Sequence, residues 1–92
     1  MKPLPESRPR LAPGCRLNER SSPTRMLLMP ERVLRLNGPS LEIIERCDGQ
    51  HTVQQIIADL QAVYSKADPP RVEHDILEYL GQLQEQRALD FE

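Results

Sequence analysis

Between residues 24 and 37 two short apolar segments flank Pro30 and Glu31, and no other stretch restricts the fold as much. Met26, Leu27, Leu28 and Met29 form the first segment, and Val33, Leu34, Arg35 and Leu36 the second. Each is about as long as an ordinary strand and too short for a stable helix, and Pro30 fixes φ for the first central position of a turn. The stretch predicts a β-hairpin, for which two registers are available. A two-residue loop pairs Met26 with Arg35 and Leu28 with Val33, and sets Arg25 against Leu36. A three-residue loop, residues 30–32, pairs Leu28 with Leu34 and Met26 with Leu36, gathering four large apolar side chains on one face. Proline also disfavours the primed two-residue turns, which need φ > 0. The three-residue register is therefore the expectation, at the cost of Arg32 in a left-handed conformation. It turns Leu27, Met29 and Val33, with Arg35 among them, away from the helices. Three apolar side chains facing water call for a cover, which makes them candidate interface residues.

The chain has 92 residues, enough for one small domain, and its only aromatic residues are Tyr64, Tyr79 and Phe91, so the core must be aliphatic. The formal net charge of −2 is unevenly spread. Residues 1–25 carry six basic and two acidic groups, whereas residues 26–92 carry six basic and twelve acidic ones. An acidic folded part argues against phosphate binding, because nucleic-acid affinity comes largely from clustered Lys and Arg. Cys15 and Cys47 are far apart and lack a second cysteine nearby, the pattern of idle thiols in a reducing compartment. With no apolar run of signal-peptide or membrane-spanning length, the expected location is the cytoplasm.

Residues 1–14 are rich in Pro and Arg, with Leu4 and Leu11 as almost the only apolar side chains, and predict a flexible tail. Residues 15–92 form the expected domain. Residues 15–20 alternate weakly and suit a first strand, pairing with residues 24–29 across a turn at Ser21, Ser22 and Pro23; a third strand is physically reasonable because a lone hairpin is marginal in water. Three helices follow. The first spans residues 38–48, with Asn37 as N-cap, Pro39 in the first turn, Leu41, Ile44 and Cys47 three apart, and Gly49 at its end. The second opens at a capping box of Thr52 and Gln55 and shows a stripe of Val53, Ile56, Ile57, Leu60 and Val63. The third starts after Asp68 with Pro69 and Pro70, and its stripe is Val72, Ile76, Tyr79, Leu80 and Leu83. Leu89, Asp90 and Phe91 alternate and suit a short last strand or an extended tail. Strands first and helices after give an α+β, winged-helix-like domain: a three-stranded antiparallel sheet followed by three helices.

No motif sets a nucleophile beside a base, and no glycine-rich loop cradles a phosphate, so the reading is a protein without a catalytic centre, cofactor or metal. His51 reads as a solvated turn residue and His74 as an exposed helix residue. Cys47, Asp48 and His51 fall one ligand short of a metal set. The winged-helix shape raises a DNA-binding or regulatory domain as the alternative. Against it, the second helix has no Lys or Arg, and the third sets Arg71 and Arg87 against Glu73, Asp75, Glu78 and Glu85.

The run Leu27, Leu28, Met29, Pro30, Glu31, Arg32, Val33, Leu34, Arg35, Leu36, Asn37 resembles the signature of the PqqD family, as do Cys47, Asp48, Gly49, Thr52, Val53 and Ile56. Asp75, Ile76, Tyr79, Leu80 and Leu83 are similar to the family's last helix, and the likeness covers roughly residues 11–89. Gln86, Arg87, Ala88 and Leu89 depart from it where family members commonly have a glycine. The resemblance implies three strands, three helices and a RiPP recognition element without catalysis. It implies binding of the precursor peptide PqqA and its presentation to the radical S-adenosylmethionine enzyme PqqE, which links a Glu and a Tyr on the way to pyrroloquinoline quinone. The face of Leu27, Met29 and Val33 would then meet that enzyme or a second copy of this chain. In the expected register the segment Val33, Leu34, Arg35 and Leu36 is an edge strand. The amides of Leu34 and Leu36 lie on its open side, ready for an added peptide strand. The resemblance makes the third helix the neighbouring wall, where Arg71, Asp75, Tyr79 and Gln82 are the candidate peptide contacts.

Overall fold

The computed structural model describes residues 4–19, 21–36 and 38–91. Its strands are β1 (Pro9–Leu11), β2 (Arg16–Leu17), β3 (Met26–Met29), β4 (Arg32–Arg35) and β5 (Leu89–Phe91). Its helices are α1 (Pro39–Glu45), α2 (Val53–Val63) and α3 (Pro69–Glu85), in the α+β order the sequence predicts.

The main sheet has the order β2-β3-β4, all antiparallel, with β3 in the centre as expected. The hairpin register differs from the expected one. Met26 pairs with Arg35, Leu27 with Leu34, Leu28 with Val33 and Met29 with Arg32, closing a two-residue loop at Pro30 and Glu31. The left-handed residue is Glu31, at φ 62°, rather than Arg32. Proline followed by a residue at φ > 0 is the type II pattern, open to Pro30 although the primed turns are not. The third strand explains the choice. Leu17 pairs with Leu27, which pairs with Leu34, so one row of leucines crosses all three strands. The three-residue loop would put Leu27 and Leu34 on opposite faces and break that row. Leu27 is thus fully buried and Met29 packs against the core, whereas both were expected outside; Val33 alone of that trio is exposed.

β2 is shorter than expected because the Asn18 side chain takes over from backbone. Its Oδ1 accepts from Met26 N at 3.0 Å and its Nδ2 donates to the Thr24 carbonyl at 2.7 Å, closing the loop into β3. The expected end of that strand, Arg20, lies outside the described residues, as does Asn37, the expected cap of α1. The cap position of α1 is Gly38, and the helix stops at Glu45 rather than continuing to Asp48.

Within the segment expected to be a flexible tail, Pro9–Leu11 forms a strand antiparallel to Leu89–Phe91. Composition made the segment look unable to order itself, but its backbone supplies what its side chains lack. The Ser7 carbonyl accepts from Val53 N at 2.8 Å and the Pro5 carbonyl from Gln54 N at 3.0 Å, two of the amides that a helix start leaves without partners. Thr52 Oγ1 takes the next, Gln55 N, at 3.1 Å, while Gln55 Oε1 accepts from Thr52 N, the expected capping box. Pro9 is buried and its carbonyl accepts from Gly49 N at 3.0 Å.

The core joins Leu27 and Leu36 of the hairpin to Ile43, Ile44, Cys47, Val53, Ile56, Leu60, Ile76, Leu80, Leu83, Ala88 and Leu89. The stripes expected on α2 and α3 point into it, except that Val63 is exposed and Ile57, Val72 and Tyr79 are half-buried. α3 ends without glycine. Arg87 takes a left-handed φ of 62°, Ala88 N donates to the Leu83 carbonyl at 2.8 Å, and Arg87 N to the Gln84 carbonyl at 2.9 Å. This is the Schellman closure, and it sends the chain into β5.

Candidate functional site

The hairpin register decides which backbone groups β4 leaves open. Leu36 N donates to the Arg25 carbonyl at 2.9 Å, so that pair is hydrogen-bonded, and alternation makes Leu34 with Leu27 and Arg32 with Met29 hydrogen-bonded too. The amides of Val33 and Arg35 therefore point to the free side of the strand, the reverse of the assignment that placed Leu34 and Leu36 there. No described strand pairs with that side.

The neighbouring wall is α3. At one end Arg32 Nη2 donates to Gln86 Oε1 at 3.3 Å. At the other end the chain leaving Leu36 enters α1, where the Ser40 hydroxyl hydrogen-bonds the Tyr79 phenol. The two contacts thus meet α3 in reverse order: the start of β4 at Gln86, and the segment that follows β4 at Tyr79. Gln82, about one helical turn from both anchors, lies on the same face of the helix as they do. Asp75 and Arg71 continue the same stripe. They lie about 16 and 22 Å from Gln86 along the helix, past the roughly 13 Å length of β4 and its last pair. Along α3, Tyr79 and Gln82 therefore fall at or between the two anchors, whereas Asp75 and Arg71 lie beyond Tyr79 and pair with each other at 4.0 Å, both exposed. Of the strand residues, Val33 and Arg35 expose their side chains, Leu34 is half-buried toward the core, and Leu36 is buried and offers only backbone.

The guanidinium of Arg32 closes one end of the gap between β4 and α3 against Gln86. The ionisable group at the other anchor is the Tyr79 phenol, which burial pushes above the usual tyrosine range, while the Ser40 hydrogen bond pulls the other way. Sequence reasoning missed the anchors at Ser40 and at Arg32 with Gln86, since contacts between residues so far apart carry no local spacing signal.

The remaining chemistry-bearing residues point elsewhere. Burial pushes the Cys47 thiol up to about 12, and its sulfur donates to the Ile43 carbonyl at 3.2 Å inside the core. Partial burial, and then Asp90, raise the Cys15 thiol as well. Neither thiol has the thiolate character that reactivity needs. Asp48 is lowered to about 2: desolvation opposes ionisation but is outweighed by hydrogen bonds from Gln50 N, the His51 ring and His51 N, and by the charge of His51. His51 Nδ1 lies 3.1 Å from Asp48 and its Nε2 3.9 Å from Asp59, which also meets Arg46 at 3.4 Å. This surface cluster ties the loop before α2 to the helices. Among the described residues no group of His, Cys, Asp and Glu converges as a metal site. His74 is exposed, as expected, and pairs with Glu78 at 3.1 Å.

A cavity of about 430 Å³ lies between the N-terminal arm, α2 and α3, lined among others by Pro5, Val53, Ile57, Gln61, Glu73 and Leu77. Residues two apart on a helix are turned by about 200°, so Glu73 and Leu77 lie across α3 from Asp75 and Tyr79. The cavity and the β4 cleft are on opposite sides of that helix.

Residues 25–89 match the family described as coenzyme PQQ synthesis protein D (PqqD). A PqqA binding protein of Xanthomonas axonopodis pv. citri (strain 306) is 36% identical over 85 residues, covering 91% of each chain. A bifunctional coenzyme PQQ synthesis protein C/D of Methylorubrum extorquens is 37% identical over 83 residues, covering 89% of this chain and 22% of that protein. The solution NMR structure of the PqqD truncation of Methylobacterium extorquens PqqCD, described as a functional and stand-alone RiPP recognition element, superposes with a TM-score of 0.69. It is 37% identical and covers 89% of this chain and 87% of its own. Nothing in these relatives supports the DNA-binding alternative. With the hairpin, the capping box and the last helix all inside the matched span, this chain belongs to the PqqD family.

Proposed function

We propose that this chain is a non-catalytic peptide chaperone of pyrroloquinoline quinone biosynthesis: it binds the precursor peptide PqqA as an added strand on β4 and presents it to the radical S-adenosylmethionine enzyme PqqE. It would work in the cytoplasm, and no described helix is long and apolar enough to cross a membrane. The observation that carries the reading is the free side of β4, with two outward amides beside the polar stripe of α3. The names of the relatives support the peptide's identity.

Strand addition takes its affinity from main-chain hydrogen bonds and its selectivity from alternate side chains. The peptide backbone pairs with Val33 and Arg35. Side chains on its inner face meet Leu34, Tyr79 and Gln82, and a peptide that continues past β4 reaches Asp75 and Arg71. Leu36 shapes the floor from below.

Amide hydrogen exchange with and without synthetic PqqA tests this. Val33 and Arg35 gain protection, while Leu34 and Leu36, already bonded to β3, change little. Gains at Leu34 and Leu36 alone would contradict the register, and no gain at any of the four would remove strand addition as the binding mode.

A further inference from the structure

The β2-β3-β4 sheet has a second face. Register puts Arg16, Leu28 and Val33 in one row across the three strands, with Met26 and Arg35 in the next row. Val33 is 59% exposed, Arg16 and Arg35 are exposed, and Met26 and Leu28 are half-buried. Their neighbours of opposite parity, Leu17, Met29 and Leu34, pack against the core; Met26 and Leu28 are not part of that packing. The result is a small apolar strip with an arginine at each margin, on the side of the sheet away from the helices.

We propose that this face is the docking surface for the enzyme that modifies the bound peptide, a partner presenting an apolar contact rimmed by carboxylates. The proposal rests on the strand-addition reading above and gives it a geometry. Successive side chains of a strand leave opposite faces of a sheet, so a peptide added to β4 sends every second side chain out beside Val33 and Arg35, in the plane of this strip. A body seated on the strip then touches the protein and the outward half of the peptide at once, which is what presentation requires. Charge selects the occupant. A two-fold dimer through this face would bring its patch against the same patch of the other copy, arginine margins toward arginine margins, whereas an acidic rim is attracted to both. The helix side of this chain carries exposed Glu73, Asp75, Glu78 and Glu85 against exposed Arg71 and Arg87, so an acidic partner is drawn to the sheet side rather than to α3.

The test uses the full chain with two variants that leave β4 untouched, Arg16→Glu on the exposed margin and the double change Met26→Ser with Leu28→Ser. Two affinities are measured: for the radical S-adenosylmethionine enzyme without peptide, and for synthetic PqqA without enzyme. The expected result is a loss of about tenfold or more in enzyme affinity for each variant, with peptide affinity held within about twofold. Arg16→Glu alters only an exposed side chain and carries the test alone should the double variant unfold. Wild-type enzyme affinity in a folded Arg16→Glu variant overturns the proposal. So does a dimer, seen by light scattering, that the substitution dissolves while enzyme binding persists. Failure of the wild-type chain to bind PqqA would instead sink the strand-addition reading, and the enzyme measurement separates the two.

Discussion

Glu31 and Arg87 are the two described non-glycine residues at positive φ, both at 62°, and each stands where the chain reverses. Glu31 completes the turn that sets the hairpin register, and Arg87 closes α3 so that Ala88 and Leu89 drop into the core. A left-handed conformation costs an L-residue about 1 kcal/mol, partly offset in a glycine variant by the greater freedom of its unfolded chain. Glu31→Gly and Arg87→Gly are each expected to raise stability by about 0.5 kcal/mol, read as a higher urea midpoint with an unchanged slope. The opposite case is Gly14, at φ 87°, where an added Cβ would come within 3.2 Å of the Pro30 ring. That loop must stay close to the hairpin turn, and glycine makes the approach possible. The departure from the family at residues 86–89 thus has a local outcome: the turn is kept and the residue in it is strained.

At the scale of elements the informative contrast is between Leu27 and Val33, neighbouring strands and opposite faces. Leu27→Ala is expected to destabilise by about 2–4 kcal/mol, as for a fully buried leucine, and Val33→Ala by less than about 0.5 kcal/mol. Equal effects in thermal or urea unfolding would contradict the register. The sequence predicted the order of elements from β2 to α3, the central place of β3, the capping box at Thr52 and most of the stripes of α2 and α3, because each depends on residues within a turn or two of one another; it missed β1. It did not predict the register, since a pairwise comparison of two strands ignores the third. With Leu17 included, the row of Leu17, Leu27 and Leu34 would have pointed to the two-residue loop. The cleft was half legible. The α3 stripe follows from periodicity, whereas the open amides follow from a register that only the whole sheet fixes, and Ser40 and Gln86 carry no sequence signal at all.

Across the whole molecule, the arm of residues 5–11 joins the ends of the chain. It caps α2 with the Pro5 and Ser7 carbonyls, meets Gly49, and pairs with β5, so that the first and last described strands share a sheet. Composition hid this, because a proline- and arginine-rich segment offers little apolar surface yet keeps its carbonyl oxygens. Deleting residues 1–8 removes two of these acceptors at a helix start and is expected to cost about 1–3 kcal/mol. Faster amide exchange at Val53 and Gln54, with Leu27 unaffected, is the accompanying sign. The arm also sets where the polypeptide enters. Pro5 lies beside the cavity lined by Glu73 and Leu77, across α3 from Tyr79. A second domain tethered upstream of Leu4 would therefore be anchored near the α2–α3 cavity, across α3 from Tyr79, rather than beside Tyr79.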